Sequence, residues 1–237
     1  MKLTVIIPAY NEEKTISEIL RRVEEVSLGE VEKEIVVVDD GSRDQTPVLV
    51  SEFVKKHANA RMIVHKKNRG KGAAVINGIR NATGDILIIQ DADLEYNPQD
   101  IPRLISPIVK KKFRVVYGTR LRNAPVLFGK NKTPLIVHYF GNKILSLITS
   151  LLYGARISDM ETCYKAFDKN VLQGVRLRSR SFNFEPEITA KILKKRIKIY
   201  EIDIKTKPRG WNEGKKLHTV RDGSIALWTL LKYRFVN

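Results

Sequence analysis

The first half of the chain alternates short β-branched runs with segments of helical spacing. The runs occupy residues 3–7, 34–38, 61–65, 85–90 and 114–117. Between the first two runs, apolar side chains recur at Ile16, Ile19, Leu20 and Val23, which is typical of an amphipathic helix. Because the runs are almost continuously apolar, we expect strands that are covered on both faces. The pattern predicts a parallel α/β sheet with short helical crossovers.

The second half of the chain is less regular. Helical spacing appears at residues 134–153, 185–195 and 224–235, and a strand-like run appears at 198–204. The first of these helical stretches is interrupted at residues 141–143, and a loop rich in Lys, Arg and Gly covers residues 206–221. No repeat, low-complexity tract or linker divides the sequence, so we expect a single domain over residues 1–237.

The charge of the chain is unevenly distributed. The net charge is +17, with −3 in residues 1–102 and +20 in residues 103–237. A basic half of this kind indicates an anionic partner, namely phosphate, phospholipid headgroups or nucleic acid, unless it is only a solvated surface. No nucleic-acid recognition motif accompanies the charge, and we expect no nucleic acid partner.

The composition, with 43% hydrophobic and 29% charged residues, fits a soluble globular protein. The single cysteine, Cys163, excludes an internal disulfide and is typical of a reducing compartment. The first ten residues lack the features of a signal peptide, and no stretch reaches the roughly 20 apolar residues that cross a bilayer. We therefore expect a cytoplasmic protein, either free or peripheral on a membrane, and the oligomeric state stays open.

Two carboxylates follow the apolar run that ends at residue 89. Asp91 and Asp93 are separated only by Ala92, at the point where the strand leaves the sheet. Carboxylates in this spacing can converge on one Mg²⁺ or Mn²⁺ ion, which keeps open positions for diphosphate oxygens. Taken alone, the pair is better explained as a turn or a helix cap, because the Asp-x-Asp pattern is common by chance.

Polar side chains also follow the first two strands. Pro8, Tyr10 and Glu12 end the first strand, and Asp39 and Asp40 end the second. An aromatic face with carboxylates suits a nucleobase and a ribose. Because ligands of such sheets bind beyond the carboxyl ends of the strands, the three strand ends predict one shared crevice. The absence of a Gly-x-Gly-x-x-Gly turn argues against a dinucleotide-dependent oxidoreductase.

Eight segments follow one another along the chain: VIIPAYNE, VVVDDGSRD, NRGKGAA, QDADLEYNP, VVYGTR, SDMETCYKAF, FNFEPEITAKI and EGKKLHTVRDG. In this order and spacing they resemble the inverting family 2 glycosyltransferases, most closely the branch with dolichol-phosphate mannose synthase and polyprenyl-phosphate hexose synthases. The resemblance implies the α/β GT-A fold, with a Rossmann-like, mostly parallel sheet. It also implies a nucleotide-sugar-binding half over residues 1–118 and an acceptor-side half over residues 119–237.

The resemblance implies roles for residues of the first half. It assigns the nucleotide to Pro8, Tyr10, Glu12, Asp39 and Asp40, and the metal ion and the diphosphate to Asp91, Ala92 and Asp93. Lys71 belongs to a glycine-rich segment, residues 68–72, that opens a helix. Backbone N–H groups there suit phosphate or sugar oxygens, although the glycines fit close helix–sheet packing equally well.

On the acceptor side, Asp159 matches the catalytic base of relatives that glycosylate hydroxyl groups. A lipid phosphate is already anionic and needs no strong base, in which case Asp159 positions a donor hydroxyl or an acceptor-binding cation; a helix or turn cap is the remaining alternative. Arg120 matches a basic residue that relatives use for the acceptor phosphate, and Lys215 is expected to reach the donor. Relatives often carry Ser-Gly in place of Thr162 and Cys163, so the geometry there is expected to differ.

The sequence thus predicts a Mg²⁺- or Mn²⁺-dependent transferase that moves a hexose from a GDP- or UDP-hexose to a polyprenyl phosphate, with inversion. The alternative is transfer to a hydroxyl group of a glycan or glycolipid, with Asp159 as the base. Two apolar segments, residues 135–152 and 225–235, fit interfacial helices on a membrane. They fit core or dimer helices equally well.

Overall fold

The fold is organised around one sheet. The computed structural model describes residues 1–122, 136–207 and 219–236. Its strands are β1 (Lys2–Ala9), β2 (Glu32–Asp39), β3 (Ala60–Val64), β4 (Ile86–Ile89), β5 (Val115–Thr119), β6 (Lys165–Asp168) and β7 (Ile199–Asp203). They form a seven-stranded sheet in the order β3-β2-β1-β4-β6-β5-β7. All pairs are parallel except those of β6, which runs antiparallel to β4 and β5.

The mostly parallel sheet confirms the predicted fold class. The central strands are buried on both faces, as their continuous apolar runs indicated: adjacent residues, which point to opposite faces, have no exposed surface at Ile35 and Val36 of β2 and at Ile86 and Leu87 of β4. One continuous sheet therefore crosses the expected boundary at residue 118, and the division of the chain into two halves stays a prediction.

Strand β6 is the element that the pattern did not predict. Its four residues contain a charged side chain, Lys165, and so short a run carries little strand signal. Because β6 is antiparallel, the segment that precedes it arrives at the edge of the sheet where the neighbouring strands end. The Gly118 N–H donates to the Tyr164 carbonyl at 2.8 Å across this junction. The reversal thus brings residues 158–164 to the carboxyl ends of the parallel strands.

The α-helices flank the sheet. They are α1 (Ile16–Glu25), α2 (Thr46–Lys56), α3 (Lys71–Asn81), α4 (Ile101–Val109), α5 (Ile136–Tyr153), α6 (Phe184–Lys194) and α7 (Thr219–Phe235), with 3-10 turns at Pro98–Asp100 and Lys169–Leu172. Helix α1 buries the four residues of its predicted apolar face. Helix α5 is continuous through residues 141–143, where the sequence indicated an interruption. A glycine in a helix costs only about 1 kcal/mol, which the packing of buried Leu145 and Thr149 offsets.

Helices α5 and α7 each leave an apolar face uncovered. The α5 face comprises Val137, Phe140, Ile144, Leu147 and Leu151, and the α7 face comprises Ile225, Trp228, Leu231 and Phe235. The two helices pack together, and the Tyr153 hydroxyl donates to the Leu230 carbonyl at 2.7 Å. Among the described helices, none is both long and apolar enough to span a bilayer.

Candidate active site

The loops after β1 and β2 are tied together by hydrogen bonds. Asn11 has a left-handed backbone with a φ of 51°. Its N–H donates to Ser42 Oγ at 3.0 Å, and its Oδ1 accepts from the Arg43 N–H at 2.9 Å. The Glu12 N–H donates to Thr46 Oγ1 at 2.8 Å. The two strand ends therefore form one continuous rim of the crevice.

Three residues expected to contact the nucleotide lie at or just beyond the end of β1. Pro8 is buried within β1, opposite Val38. Tyr10 is half-buried at the end of the strand, and Glu12 Oε2 accepts from the Thr15 hydroxyl at 3.0 Å. The structure thus brings Tyr10 and Glu12 to the rim, whereas Pro8 is a core residue beneath it.

Asp40 holds the protein's own backbone. Its Oδ1 accepts from the Arg69 N–H at 2.9 Å, and its Oδ2 accepts from the Gly70 N–H at 2.7 Å. His65 Nδ1 also lies 2.7 Å from Asp40 Oδ1. Both oxygens of this buried carboxylate are engaged within the protein, and the nucleotide contact expected of Asp40 stays a prediction.

Asp39 differs from Asp40 in that only one of its two carboxylate oxygens has a hydrogen-bond partner among the described residues. Its Oδ2 accepts from the Ser42 N–H at 3.3 Å, whereas its buried Oδ1 has no hydrogen-bond partner in the part of the chain that the structure describes. An unsatisfied buried acceptor costs about 1–3 kcal/mol. An N–H group of a nucleobase would satisfy it, which makes Asp39 the better nucleotide-binding candidate of the two.

The glycines at the start of α3 are required for packing. Gly70 has a φ of 92°, and a Cβ atom there would collide with the Arg180 carbonyl. A Cβ atom on Gly72 would lie 2.7 Å from the Ser181 carbonyl oxygen, and the Ala73 N–H donates to the Arg180 carbonyl at 3.1 Å. Since this backbone covers the first turn of α3, the structure supports the packing role of the glycines over phosphate binding.

The loop after β4 carries the expected metal ligands and is held by hydrogen bonds from Gln90 and within the loop. Gln90 Nε2 donates to the Asp91 carbonyl at 3.0 Å, and Gln90 Oε1 accepts from the Tyr164 hydroxyl at 2.6 Å. Asp93 Oδ1 accepts from the Glu95 N–H at 3.1 Å. These bonds hold the backbone at Asp91 and the carboxylate of Asp93 at the end of the strand.

The two carboxylates fit a divalent cation that is shared with a diphosphate. Asp91 and Asp93 flank the buried Ala92 and are themselves partly accessible. Mg²⁺ usually takes one or two carboxylates from a protein and completes its shell with water and phosphate oxygens. Within the described residues, no group of three or more His, Cys, Asp or Glu side chains could hold a metal ion, so a site closed by protein ligands alone is not formed there.

Lys71 joins this loop to the acceptor side of the crevice. Its Nζ lies 3.0 Å from the Asp91 carboxylate and 3.0 Å from Glu185 Oε1. Burial alone would lower the pKa of Lys71, but the two carboxylates outweigh it and hold the pKa well above its ordinary value. A permanent cation therefore lies beside the expected diphosphate position.

Arg120 and Asp159 form a bidentate ion pair in which the carboxylate is fully buried. Arg120 Nε and one terminal nitrogen donate to the two oxygens of Asp159 at 2.7 and 2.8 Å, and the Arg120 backbone N–H adds a third bond at 2.9 Å. Asp159 has no exposed surface, whereas the Arg120 side chain is 22% exposed. Burial alone would lower the pKa of Arg120, but Asp159 outweighs it and raises the pKa. Asp159 is thus oriented to hold a cation.

Two neighbours keep this pair in place. Glu201, in β7, accepts from the N–H and the hydroxyl of Ser158, each at 2.9 Å. The Arg120 guanidinium carbon lies 5.8 Å from the centre of the Tyr96 ring, as in a cation–π contact. The Tyr96 hydroxyl in turn accepts from the Cys163 N–H at 3.0 Å. The loop before β6 is therefore tied both to β7 and to the segment after β4.

Sequence reasoning missed a buried lysine in this loop. Lys165 has no exposed surface; its Nζ donates to the carbonyls of Met160 and Thr162 at 2.8 and 2.6 Å and lies 4.2 Å from the centre of the Tyr117 ring. Burial lowers the pKa of Lys165. The available signal was a single charge within an apolar run, in a segment for which only Asp159 had an expected role.

A buried glutamate, Glu185, and a half-buried one, Glu161, were missed as well. Glu185 lies in the first turn of α6, and Glu161 precedes β6. Burial and the neighbouring Glu185 raise the pKa of Glu161, against the opposing effect of Lys165. Glu185 was read only as part of a helical pattern, since periodicity does not reveal which face of a helix borders a ligand site.

Expected residues of both halves lie at the same edge of the sheet, beyond the carboxyl ends of β4 and β5. Asp91 contacts Lys71 and Lys71 contacts Glu185, while Arg120 contacts Asp159. Lys215 lies outside the described residues.

A mostly parallel sheet with polar loops at the ends of β1 and β2, two carboxylates after β4 and a half-buried arginine after β5 is typical of a GT-A-type transferase. The chain matches the model of the family described as glycosyl transferase family 2 over residues 4–176, and it belongs to that family. It is a glycosyltransferase, as the sequence predicted.

Two relatives are similar over most of this chain. One is the UDP-N-acetylglucosamine–dolichyl-phosphate N-acetylglucosaminyltransferase of Methanococcus voltae, 32% identical over 219 residues, which cover 85% of this chain and 84% of the relative. The other is the dolichol-phosphate mannosyltransferase of Pyrococcus furiosus, 32% identical over 202 residues. That match covers 81% of this chain but 53% of the relative, so the chain spans about half of its length.

Among solved structures, glucosyl-3-phosphoglycerate synthase from Mycobacterium tuberculosis, in complex with Mn²⁺, UDP and glucosyl-3-phosphoglycerate, superimposes with a TM-score of 0.73. The match covers 100% of this chain and 81% of that protein, at 18% sequence identity. At this identity the similarity shows the fold alone, and it confirms the GT-A architecture.

Proposed function

We propose that this glycosyltransferase moves a hexose from a UDP- or GDP-hexose to a polyprenyl phosphate, with inversion at the anomeric carbon. Tyr10, Glu12 and Asp39 bind the nucleotide, and Asp91 and Asp93 hold Mg²⁺ or Mn²⁺ beside the diphosphate. A bound cation neutralises the charge that develops on a departing nucleoside diphosphate. The lipid phosphate oxygen forms its bond to the anomeric carbon as the bond to the diphosphate breaks.

The observation that carries the acceptor assignment is the ion pair of Arg120 and Asp159. A hydroxyl acceptor loses a proton as it attacks and therefore needs an available base. Asp159 is fully buried, and both of its oxygens accept from Arg120. A phosphate acceptor is already anionic and needs a cation to hold it. The planar guanidinium group matches phosphate oxygens in geometry.

The names of the relatives support the same acceptor class. The Methanococcus voltae enzyme is named for dolichyl phosphate and the Pyrococcus furiosus enzyme for dolichol phosphate. Their names differ in the transferred sugar, N-acetylglucosamine in one case and mannose in the other. The proposal therefore commits to the lipid phosphate and leaves the donor to be identified by assay.

The apolar faces of α5 and α7 support a peripheral contact with the membrane that contains such a lipid. Phe140 and Leu147 on α5, and Trp228 on α7, are more than half exposed. Lys232 and Arg234 are exposed near the end of α7. Apolar side chains enter the headgroup region while adjacent cations attract anionic lipids. We extend the proposal to docking of these two faces on a bilayer.

The test offers labelled UDP-glucose, UDP-N-acetylglucosamine and GDP-mannose to the purified protein with Mg²⁺ or Mn²⁺, with and without a polyprenyl phosphate. Label is expected to enter the organic phase only when metal and lipid are both present, and not with the variant Asp93→Ala. Donor hydrolysis without a lipid product would contradict the acceptor assignment and redirect the search to hydroxyl acceptors. If no nucleotide sugar binds, the proposal as a whole is wrong.

A further inference from the structure

Transfer between two phosphates determines where the sugar has to lie, and the inference below rests on the proposed function. In an in-line displacement the anomeric carbon stands between the leaving oxygen and the attacking oxygen. The leaving diphosphate belongs beside Asp91 and Asp93, and the attacking phosphate belongs at Arg120. The sugar ring must therefore occupy the space between the loop after β4 and Arg120.

Two glutamates border this space. Glu185 is joined to Asp91 through Lys71, with both contacts at 3.0 Å. Glu161 lies close enough to interact electrostatically with both Glu185 and Arg120. The pair therefore lies between the two groups that are expected to hold phosphate.

Unpartnered polar atoms are concentrated at this place. In the described part of the chain, four buried side-chain atoms lack a hydrogen-bond partner: Asp39 Oδ1, Glu161 Oε1, Thr162 Oγ1 and Glu185 Oε2. The first belongs to the nucleotide side, and the other three border the sugar position. Thr162 has no exposed surface, and Glu185 is 5% exposed. Since native proteins leave few such atoms unsatisfied, a ligand that supplies hydrogen bonds is the economical explanation.

The chemistry of these atoms indicates which sugar they suit. Two are carboxylate oxygens and one is a hydroxyl, so they accept hydrogen bonds readily from sugar hydroxyl groups. The nearest cations are already engaged, Lys165 by two backbone carbonyls and Lys71 by two carboxylates. A carboxylate on the sugar would add negative charge beside Glu185 without an available cation to balance it.

We propose that Glu161, Thr162 and Glu185 form a subsite for the hydroxyl groups of a neutral donor sugar, and that this subsite discriminates against hexuronic acids. The three residues act on sugar recognition, separately from nucleotide binding at the other end of the crevice.

The test compares nucleotide sugars with the bare nucleoside diphosphate by calorimetric titration in the presence of Mg²⁺. The ligands are UDP, UDP-glucose and UDP-glucuronic acid, together with GDP, GDP-mannose and GDP-mannuronic acid. The native protein is expected to bind a neutral sugar donor more tightly than the diphosphate, and the matching hexuronic acid at least about tenfold more weakly than the neutral donor. This is the scale of one lost hydrogen bond to a charged group.

Two variants separate the contributions of the subsite. Thr162→Val is expected to weaken neutral-donor binding by about tenfold and to leave diphosphate binding unchanged. It should not lower the melting temperature, because the hydroxyl has no partner in the free protein. Glu185→Gln removes a negative charge and should narrow the difference in affinity between the neutral donor and the hexuronic acid. The control is Thr149→Val, since Thr149 is also buried but donates to the Leu145 carbonyl at 2.8 Å within α5.

Several outcomes would contradict the subsite while the glycosyltransferase assignment stands. One is equal affinity of the native protein for the nucleoside diphosphate and the neutral sugar donor. Another is that Thr162→Val weakens the binding of these two ligands equally. The third is equal affinity for the neutral donor and the matching hexuronic acid donor. Failure of the native protein to bind any ligand of either series would refute the proposed function, and the subsite with it.

Discussion

The two sides of the crevice hold their functional groups in different ways. On the donor side, polar side chains bind the backbone of neighbouring turns, as when Asp40 accepts the N–H groups of Arg69 and Gly70. On the acceptor side, charged side chains bind each other, as when both oxygens of Asp159 accept from the guanidinium of Arg120. The donor-side hydrogen bonds position the backbone of the turns, and the acceptor-side ion pair positions charged side chains.

This difference indicates how each side responds to substitution. A side chain that holds one turn acts locally, and its loss should leave the other side of the crevice intact. Charges that balance one another in a buried place are coupled, so the loss of one leaves its partner uncompensated. We therefore expect separable effects on the donor side and strongly non-additive effects on the acceptor side.

The largest effect is expected from Asp93→Ala, on the donor side. Loss of a ligand of the cation beside the diphosphate removes several kcal/mol of charge stabilisation, so kcat should fall on the order of 10³-fold. Affinity for the nucleoside without phosphates should not change, because the loops after β1 and β2 are untouched. Steady-state kinetics and nucleoside titration test both points. Asp100→Ala, which removes a carboxylate outside the crevice, is the control, and a loss below tenfold for Asp93→Ala would contradict the assignment.

The next effect concerns the coupled acceptor side. Arg120→Ala and Asp159→Asn should each lower kcat/KM for the lipid phosphate by about 10²-fold, since misplacement of a positioning group by about 1 Å costs that much. The double variant should be no worse than Arg120→Ala, because Asp159 acts through Arg120. If Asp159→Asn abolishes transfer while Arg120→Ala retains it, Asp159 is a base and the acceptor is a hydroxyl.

The two sides also differ in how far the sequence predicts them. Strands β1 to β5 follow from continuous apolar runs, and the polar residues at the ends of β1, β2 and β4 place the crevice without further information. The sequence does not show which of the adjacent aspartates Asp39 and Asp40 is available to a ligand. The two differ only in the hydrogen-bond donors that the folded chain places beside each. The contact of Asp40 with Gly70 requires the loop after β3 to return to the rim.

On the acceptor side the sequence supplied Arg120 and Asp159 but not the contact between them. That contact depends on the reversed strand β6, whose short run with Lys165 at its start gives no clear strand pattern. The position of Glu161 depends on the same reversal, whereas Glu185 is placed by α6. Charged residues inside apolar segments were the only available signal, and their partners come from distant parts of the chain.

A third prediction concerns the seam where the two sides meet, at the start of α3. A Cβ atom on Gly72 would lie 2.7 Å from the carbonyl oxygen of Ser181 and 2.8 Å from that of Ser179. Gly72→Ala should therefore lower the free energy of unfolding by about 1–3 kcal/mol, as measured by urea denaturation. Gly141→Ala is the matched control, since no atom of the described residues lies within 4 Å of its added Cβ. It should stabilise helix α5 by up to about 1 kcal/mol.

A fourth prediction tests the membrane contact, which would belong to the acceptor side alone. The double variant Phe140→Asp and Leu147→Asp should weaken co-sedimentation with anionic vesicles by about tenfold or more, because two apolar side chains no longer enter the headgroup region. Transfer to a short, water-soluble polyprenyl phosphate should be unchanged. Val48→Asp is the control, since Val48 is 50% exposed on α2 of the donor side. Equal loss in the control, or no loss in the double variant, would contradict the assignment.

The smallest effect compares one buried carboxylate from each side, Glu34 and Glu187. Burial would raise the pKa of each, but hydrogen bonds outweigh it and lower both: Glu34 accepts from Thr4 and Thr83, and Glu187 accepts from Lys191 and Ser179. A carboxyl group whose pKa is lowered by folding stabilises the protein above its ordinary pKa of 4.5 and loses that contribution as the pH falls.

The melting temperature should therefore decrease as the pH falls below about 4.5, and Glu34→Gln and Glu187→Gln should each make the decrease shallower. Thermal melts between pH 3 and pH 7 measure this. Glu34 holds the donor-side segment before β4, whereas Glu187 holds the backbone at Arg178 and Ser179, next to the turn that covers α3. If only Glu187→Gln changes the dependence of the melting temperature on pH, acid destabilises the acceptor side before the donor side. The two sides would then separate at the start of α3.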